Sequence, residues 1–236
     1  MKLPKPRKII AEKYVAGLSL FKSRKSPIKL SANESALGPS PKAVKSYKSV
    51  GNSFIRYPDS DGTFFRKILA KKFNLKIDKI ILGSGSDQIF ELVCKLFLNK
   101  GDEVVVPEYS FIIYRIYSRM FGAKVRYAKE QNFKPSVQSI IDSVNRKTKI
   151  VFLANPNNPT GTYLDKSDLL ELRKKLRSDI LLVIDDAYHE FITDPNYSSG
   201  LKLFSKSQNV LVTRTFSKIY GLAGLRIGWG YGPKSI

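Results

Sequence analysis

Five short apolar runs in this chain end in polar or glycine-rich turns: "KIILGSGS", "DEVVVPEYSF", "KIVFLANP", "ILLVIDDAY" and "NVLVTRTFSK". Stretches with helical spacing of apolar residues lie between several of them, including "SDQIFELVCKLFL", "FIIYRIYSRMFG" and "DKSDLLELRKKL". Strands that are almost continuously apolar are buried on both faces, and amphipathic helices between them supply the cover. The alternation predicts an α/β fold, a mainly parallel sheet with flanking helices. "KVRYA" adds a further strand, and "SPKAVKSYKSV", "GTFFRKILAKKFN" and "VQSIIDSV" add helices. Ser86 or Asp87 is the expected N-cap of the helix after "GSG". The first thirty-odd residues, with Pro4, Pro6, Gly17 and Pro27, read as an extended basic arm spanning residues 1–35, followed by one large domain over 36–236.

Ligands of such sheets bind outside the carboxyl ends of the strands. Four unusual clusters fall there: residues 83–87, 155–161, 185–188 and 215–218. "GSGSDQ" opens a helix, where exposed N–H groups favour a phosphate. Taken alone, a tight turn explains it as well, and neither a dinucleotide fingerprint nor a P-loop is present. "NPNNPTG" constrains seven residues where a plain turn needs one Asn-Pro step, and Asn158 is able to offer its amide to a ligand oxygen. "VIDDAYHEF" sets two carboxylates after a buried strand: a helix cap, a metal site or a charge partner for a cationic ring. His189 is the only histidine, which excludes a multi-histidine metal site, and its expected role is structural. "TFSK" followed by "GLAGLR" supplies the hydroxyls of Thr215 and Ser217 with Arg226 for a dianionic phosphate, and Lys218 for a Schiff base with an aldehyde.

The formal net charge of +21 raises the alternative of a non-catalytic basic protein that binds nucleic acid. The 41 Lys and Arg residues are scattered over helix faces and loops rather than gathered in a stripe, so no nucleic-acid partner is expected. The longest apolar runs, such as "ILLVI", fall far short of the ~20 residues that span a bilayer, and no signal-peptide core follows the basic start. No membrane association is expected. The single cysteine, Cys94, sits among apolar helix residues, reads as core, and suits a reducing cytoplasm.

"NPNNPTG", "DDAY" and "TFSKIYGLAGLRIGWG", in this order and spacing, resemble the fold-type I pyridoxal-phosphate aminotransferases of class I and II. "LSANESALGPSP", "RYPDSDG", "GSGSDQI" and "PEYSFIIY" resemble the subgroup that acts on histidinol phosphate. The resemblance runs from about Tyr14 onward. It implies pyridoxal 5'-phosphate as cofactor and transamination of histidinol phosphate, a phosphorylated amino alcohol, with glutamate and 2-oxoglutarate in histidine biosynthesis. An aromatic amino-acid aminotransferase or a phosphoamino-acid decarboxylase of the same fold is the alternative within the family. No metal is implied.

Residue by residue, Lys218 resembles the Schiff-base lysine and proton shuttle, and Asp185 the partner of the pyridinium nitrogen. Tyr188 and Asn158 resemble the pair that hydrogen-bonds the ring oxygen. Phe111 is similar to the aromatic that stacks on the ring. Ser86, Asp87, Thr215, Ser217 and Arg226 resemble the phosphate cup, the first two acting mainly through backbone N–H groups. Asn33 resembles a substrate contact. Tyr57 resembles a residue lent to the neighbouring subunit's phosphate, which implies a homodimer. The family carries a further C-terminal small domain, and the resemblance implies that this chain lacks it.

Overall fold

The computed structural model describes residues 28–236 together with Ile9, Ala11, Glu12 and Tyr14. Most of the expected extended arm, including Pro4, Pro6, Gly17 and Pro27, lies outside the described residues.

The helices are α1 (Pro41–Lys48), α2 (Thr63–Phe73), α3 (Gly85–Phe97), α4 (Ile112–Met120), α5 (Val137–Asp142), α6 (Lys166–Lys175) and α7 (Gly200–Phe204). The strands are β1 (Ile80–Gly83), β2 (Glu103–Pro107), β3 (Lys124–Ala128), β4 (Thr148–Ala154), β5 (Leu181–Asp185), β6 (Val210–Thr215) and β7 (Gly228–Tyr231). They form one sheet in the order β1-β7-β6-β5-β4-β2-β3. Only β7 runs against the others, pairing antiparallel with both β1 and β6.

Alternate residues of each strand serve opposite cores, as the period of two requires. Ile150, Phe152, Leu181, Val183 and Leu211 pack under α3 and α4. Val151, Leu153, Leu182, Ile184 and Val212 pack against α2, α5, α6 and α7. The buried area on both faces explains why these strands are apolar at nearly every position.

Two features differ from the sequence expectation. The N-cap of α3 is Ser84, not Ser86 or Asp87. Ser84 makes no side-chain cap bond; instead its own N–H donates to Gln88 Oε1 at 2.7 Å, and Gly85 N–H donates to the Arg226 carbonyl at 3.1 Å. Ser86 and Asp87 are thereby left inside the first turn. The second difference is β7, within "RIGWGYG". A Cβ at Gly228 would collide with the backbone of Gly85 and Ser86. Glycine here lets the strand pass directly beneath the start of α3.

Candidate active site

The carboxyl ends of β4, β5 and β6 and the start of α3 surround a cavity of about 530 Å³. Ser86, Asp87, Phe111, Asn158, Asp185, Tyr188, Thr215, Ser217, Lys218, Arg226 and Asn33 all line it. Tyr57 is the one candidate that does not; its side chain is fully exposed, at 101%.

Strand parity decides which side chains enter. Asp185 continues the 181–183 parity of β5, and Thr213 and Thr215 continue that of Leu211 in β6, so all three emerge on the α3/α4 side. Asp185 is buried, and its carboxylate accepts from Tyr114 Oη at 2.7 Å and from Thr213 Oγ1 at 3.1 Å. Burial pushes its pKa up to about 6, while the bonds from Tyr114 and Thr213 pull the other way.

Elsewhere in the cavity lining, hydroxyl and cationic groups meet. Thr215 Oγ1 donates to Ser217 Oγ at 3.0 Å and accepts from the Ser217 N–H at 3.1 Å. Arg226 Nη1 reaches Ser217 Oγ at 3.3 Å and the Ala223 carbonyl at 3.1 Å. Arg226 holds a left-handed backbone with φ of 51°, uncommon for a side chain of this size. A Cβ at Gly85, whose φ is 76°, would strike Arg226 Nη2. Glycine at position 85 therefore lets the guanidinium lie against the N-terminus of α3. Burial raises the Asp87 pKa, and the nearby Arg226 and Lys218 oppose that shift.

Lys218 lines the same cavity. Its Nζ donates to the Ala32 carbonyl at 3.1 Å and stands 5.4 Å from the centre of the Tyr188 ring. Asn33 Nδ2 donates to Tyr188 Oη at 3.2 Å, so the segment around Asn33 crosses the cavity mouth.

The three asparagines of "NPNNPTG" divide the work. Asn155 closes the loop through a reciprocal pair with Leu164, Nδ2 to the carbonyl at 3.0 Å and Oδ1 from the N–H at 2.7 Å. Asn157 donates to the Tyr109 carbonyl at 3.2 Å and to Thr160 Oγ1 at 2.9 Å. Only Asn158 turns toward the cavity. His189 lies outside the cavity lining and stacks on Tyr197 with ring centres 5.7 Å apart. Cys94 is buried in the core under α4, as expected, and burial pushes its thiol up to about 12. Among the described residues no three His, Cys, Asp or Glu side chains gather as a metal site, and no helix is long and apolar enough to cross a membrane.

Sequence reasoning missed Tyr114, Thr213 and the two glycines Gly85 and Gly228. The only signal for Tyr114 was its place in the first turn after Phe111, one of the cavity candidates.

The sequence matches the family model for aminotransferase class I and II over residues 25–236. It is 53% identical to a histidinol-phosphate aminotransferase of Pelagibacter ubique over 236 residues, which cover 100% of this chain and 66% of the relative. It is 42% identical to histidinol-phosphate aminotransferase 1 of Caulobacter vibrioides, covering 99% of this chain and 65% of the relative. The chain thus spans just under two thirds of the length of these relatives. Its fold superimposes with a TM-score of 0.82 on the crystal structure of histidinol-phosphate aminotransferase from Sinorhizobium meliloti in complex with pyridoxal 5'-phosphate, at 26% identity, covering 86% of this chain and 56% of that one.

Proposed function

This chain belongs to the aminotransferase class I and II family, and we propose that it contributes the cofactor-binding large domain, residues 36–236, of an enzyme that exchanges an amino group between histidinol phosphate and 2-oxoglutarate. The cofactor of this reading is pyridoxal 5'-phosphate, and the enzyme works as a cytoplasmic homodimer. The observation that carries it is the arrangement of three unlike groups around one cavity: a buried carboxylate, a lysine amine and an arginine–hydroxyl cluster at a helix start.

Those groups match the chemistry of the cofactor end for end. Thr215, Ser217, Arg226 and the first N–H groups of α3 suit a phosphate. Gly85 keeps that cradle open, since a Cβ there would displace Arg226. The Lys218 amine suits an aldehyde, and Asp185 suits a protonated ring nitrogen. Bound pyridoxal phosphate supplies a sink for the electron pair left when a proton leaves the substrate carbon that bears the amino group.

The chain's own residues do the rest. Lys218 would hold the cofactor through its aldehyde, and its amine would serve as the base that moves a proton to and from the substrate. Asp185 keeps the ring nitrogen protonated by its charge. Tyr188 and Asn158 would supply donors for the ring oxygen, and Phe111 would supply an aromatic surface for the ring. Ser86 and Asp87 offer backbone N–H groups to the phosphate. Asn33, held against Tyr188, contacts the substrate.

Tyr57 serves the neighbouring subunit's phosphate. Its complete exposure supports that role, as do the exposed Tyr47, Phe54, Ile55 and Phe64 in the same stretch, an apolar surface of the kind that a second copy covers. A coupled assay of the full-length protein tests the substrate: turnover with histidinol phosphate should exceed turnover with phenylalanine. The reverse order would move the chain to an aromatic amino-acid aminotransferase.

A further inference from the structure

Tyr114 is fully buried in the first turn of α4, 71 residues before its partner Asp185. Its ring lies parallel to Phe152, with centres 5.0 Å apart, and meets Phe90 and Phe111 edge-on at 5.0 and 5.7 Å. Three aromatic neighbours leave the ring no freedom to turn. The hydroxyl is the one polar atom of that aromatic group, and it points at Asp185 Oδ2. Thr213 takes the other carboxylate oxygen. Each oxygen of Asp185 therefore has its own fixed donor.

We propose that Tyr114 is a positioning residue, whose hydroxyl fixes the direction of the Asp185 carboxylate and holds it in the charged state that a cationic ring nitrogen requires. The proposal rests on the reading of Asp185 as the partner of that nitrogen. A carboxylate this deeply buried tends toward its neutral form, and only groups that bind the charged form resist the tendency. Tyr114 makes the shorter of the two side-chain bonds that resist it; a backbone bond from Ala187 adds to them, and the nearby Asp87 charge works the other way. Burial and the adjacent Asp185 hold the tyrosine's own pKa well above the ordinary value, so the hydroxyl stays a donor at any working pH. When a carboxylate and a ring nitrogen share one proton, a donor on the carboxylate lowers its proton affinity and leaves the proton on nitrogen.

The test compares wild type with Tyr114→Phe, which keeps the packed ring and removes only the hydroxyl. In the full-length protein freed of cofactor, the Asp185 carboxyl carbon is followed by 13C NMR against pH, with Asp185→Asn identifying the resonance. The midpoint should rise by about one to two pH units in Tyr114→Phe. In wild type, the Tyr114 ring carbon that bears oxygen should titrate at the same midpoint as Asp185, a measurement that needs no substitution. An unmoved Asp185 midpoint in a folded Tyr114→Phe, or a Tyr114 carbon blind to Asp185, overturns the proposal.

A second measurement separates this from the underlying reading. With pyridoxal phosphate labelled with 15N in its ring, the bound resonance should move toward the unprotonated position in Tyr114→Phe and further in Asp185→Asn. If Asp185→Asn leaves it unmoved, Asp185 is not the ring's partner and the reading of the site fails, whatever the carbon titration gives.

Discussion

Asp185 and Asp186 are consecutive, yet their carboxylates work on opposite faces of the sheet. Asp185 faces Tyr114 and Thr213 on the α3/α4 side. Asp186 accepts from Ser199 Oγ at 2.6 Å and from the Gly200 and Leu201 N–H groups at the start of α7. Arg214, of opposite parity to Thr213 and Thr215, lies 4.0 Å from Asp186 and 2.8 Å from Glu190. Of the paired acids of "DDAY", Asp185 thus lines the cavity and Asp186 braces the start of α7, so the two carboxylates do not converge on one ligand.

Asp186→Ala should therefore destabilise the fold while sparing cofactor chemistry. It removes the acceptor of Ser199 Oγ and of the Gly200 and Leu201 N–H groups, and one of the polar partners of a buried guanidinium that also reaches Glu190 and Ser199. The expected cost is about 3 kcal/mol in urea unfolding. Asp185→Ala should show the opposite pattern: the cofactor stays attached, but turnover is lost. Equal losses of activity in the two variants would contradict the division of labour.

The pH dependence of stability carries the same signature. Asp185 and Asp186 both sit near 6 instead of 3.8, chiefly through burial. Between those values the folded chain keeps protons that the unfolded chain has released, so each group makes stability fall as pH rises from about 4 to 6. Asp185→Asn removes one share, on the order of 3 kcal/mol. Measured without cofactor, the variant should gain on wild type steadily across that window and hold the gain above it. The exposed Asp59 and the half-buried Asp165, lowered by their hydrogen bonds, act below that window and cancel in the comparison.

Gly85→Ala should weaken cofactor binding without unfolding the protein. The new methyl group meets Arg226 Nη2, and the left-handed backbone at position 85 resists any side chain. A tenfold or greater rise in the pyridoxal-phosphate dissociation constant is expected, matching about 1.4 kcal/mol of strain. Gly224→Ala is the control, since a Cβ there meets nothing within 4 Å.

The sheet was legible because β2, β4, β5 and β6 are apolar on both faces, and the cavity because its polar clusters follow those strands. β7 was not legible. Its alternate glycines, Gly228 and Gly230, lack the side chains that mark a strand; the start of α3 requires the first, and the side chains of Ile81 and Leu211 crowd the second. The five-residue α7 is too short to show a period. The bond from Tyr114 to Asp185 joins residues 71 apart and left no local trace. Ser84 was passed over as N-cap because Ser86 and Asp87 are equally good capping residues, and only the path of β7 separates them.

Arg226→Ala and Lys218→Ala should fail in different ways. Without the guanidinium, cofactor retention on a desalting column drops, while Lys218 still reacts with added pyridoxal phosphate. Without the amine, the phosphate cradle still holds cofactor, but denaturation releases all of it. Loss of retention in Lys218→Ala equal to that in Arg226→Ala would show that the cradle does not bind by itself.

The central claim is that Lys218 carries the cofactor. The direct measurement is borohydride reduction of the full-length protein loaded with pyridoxal phosphate, followed by peptide mapping. The account predicts loss of the visible absorbance and a single modified peptide carrying the cofactor on Lys218. A modification on any other lysine, or none at all, would contradict it.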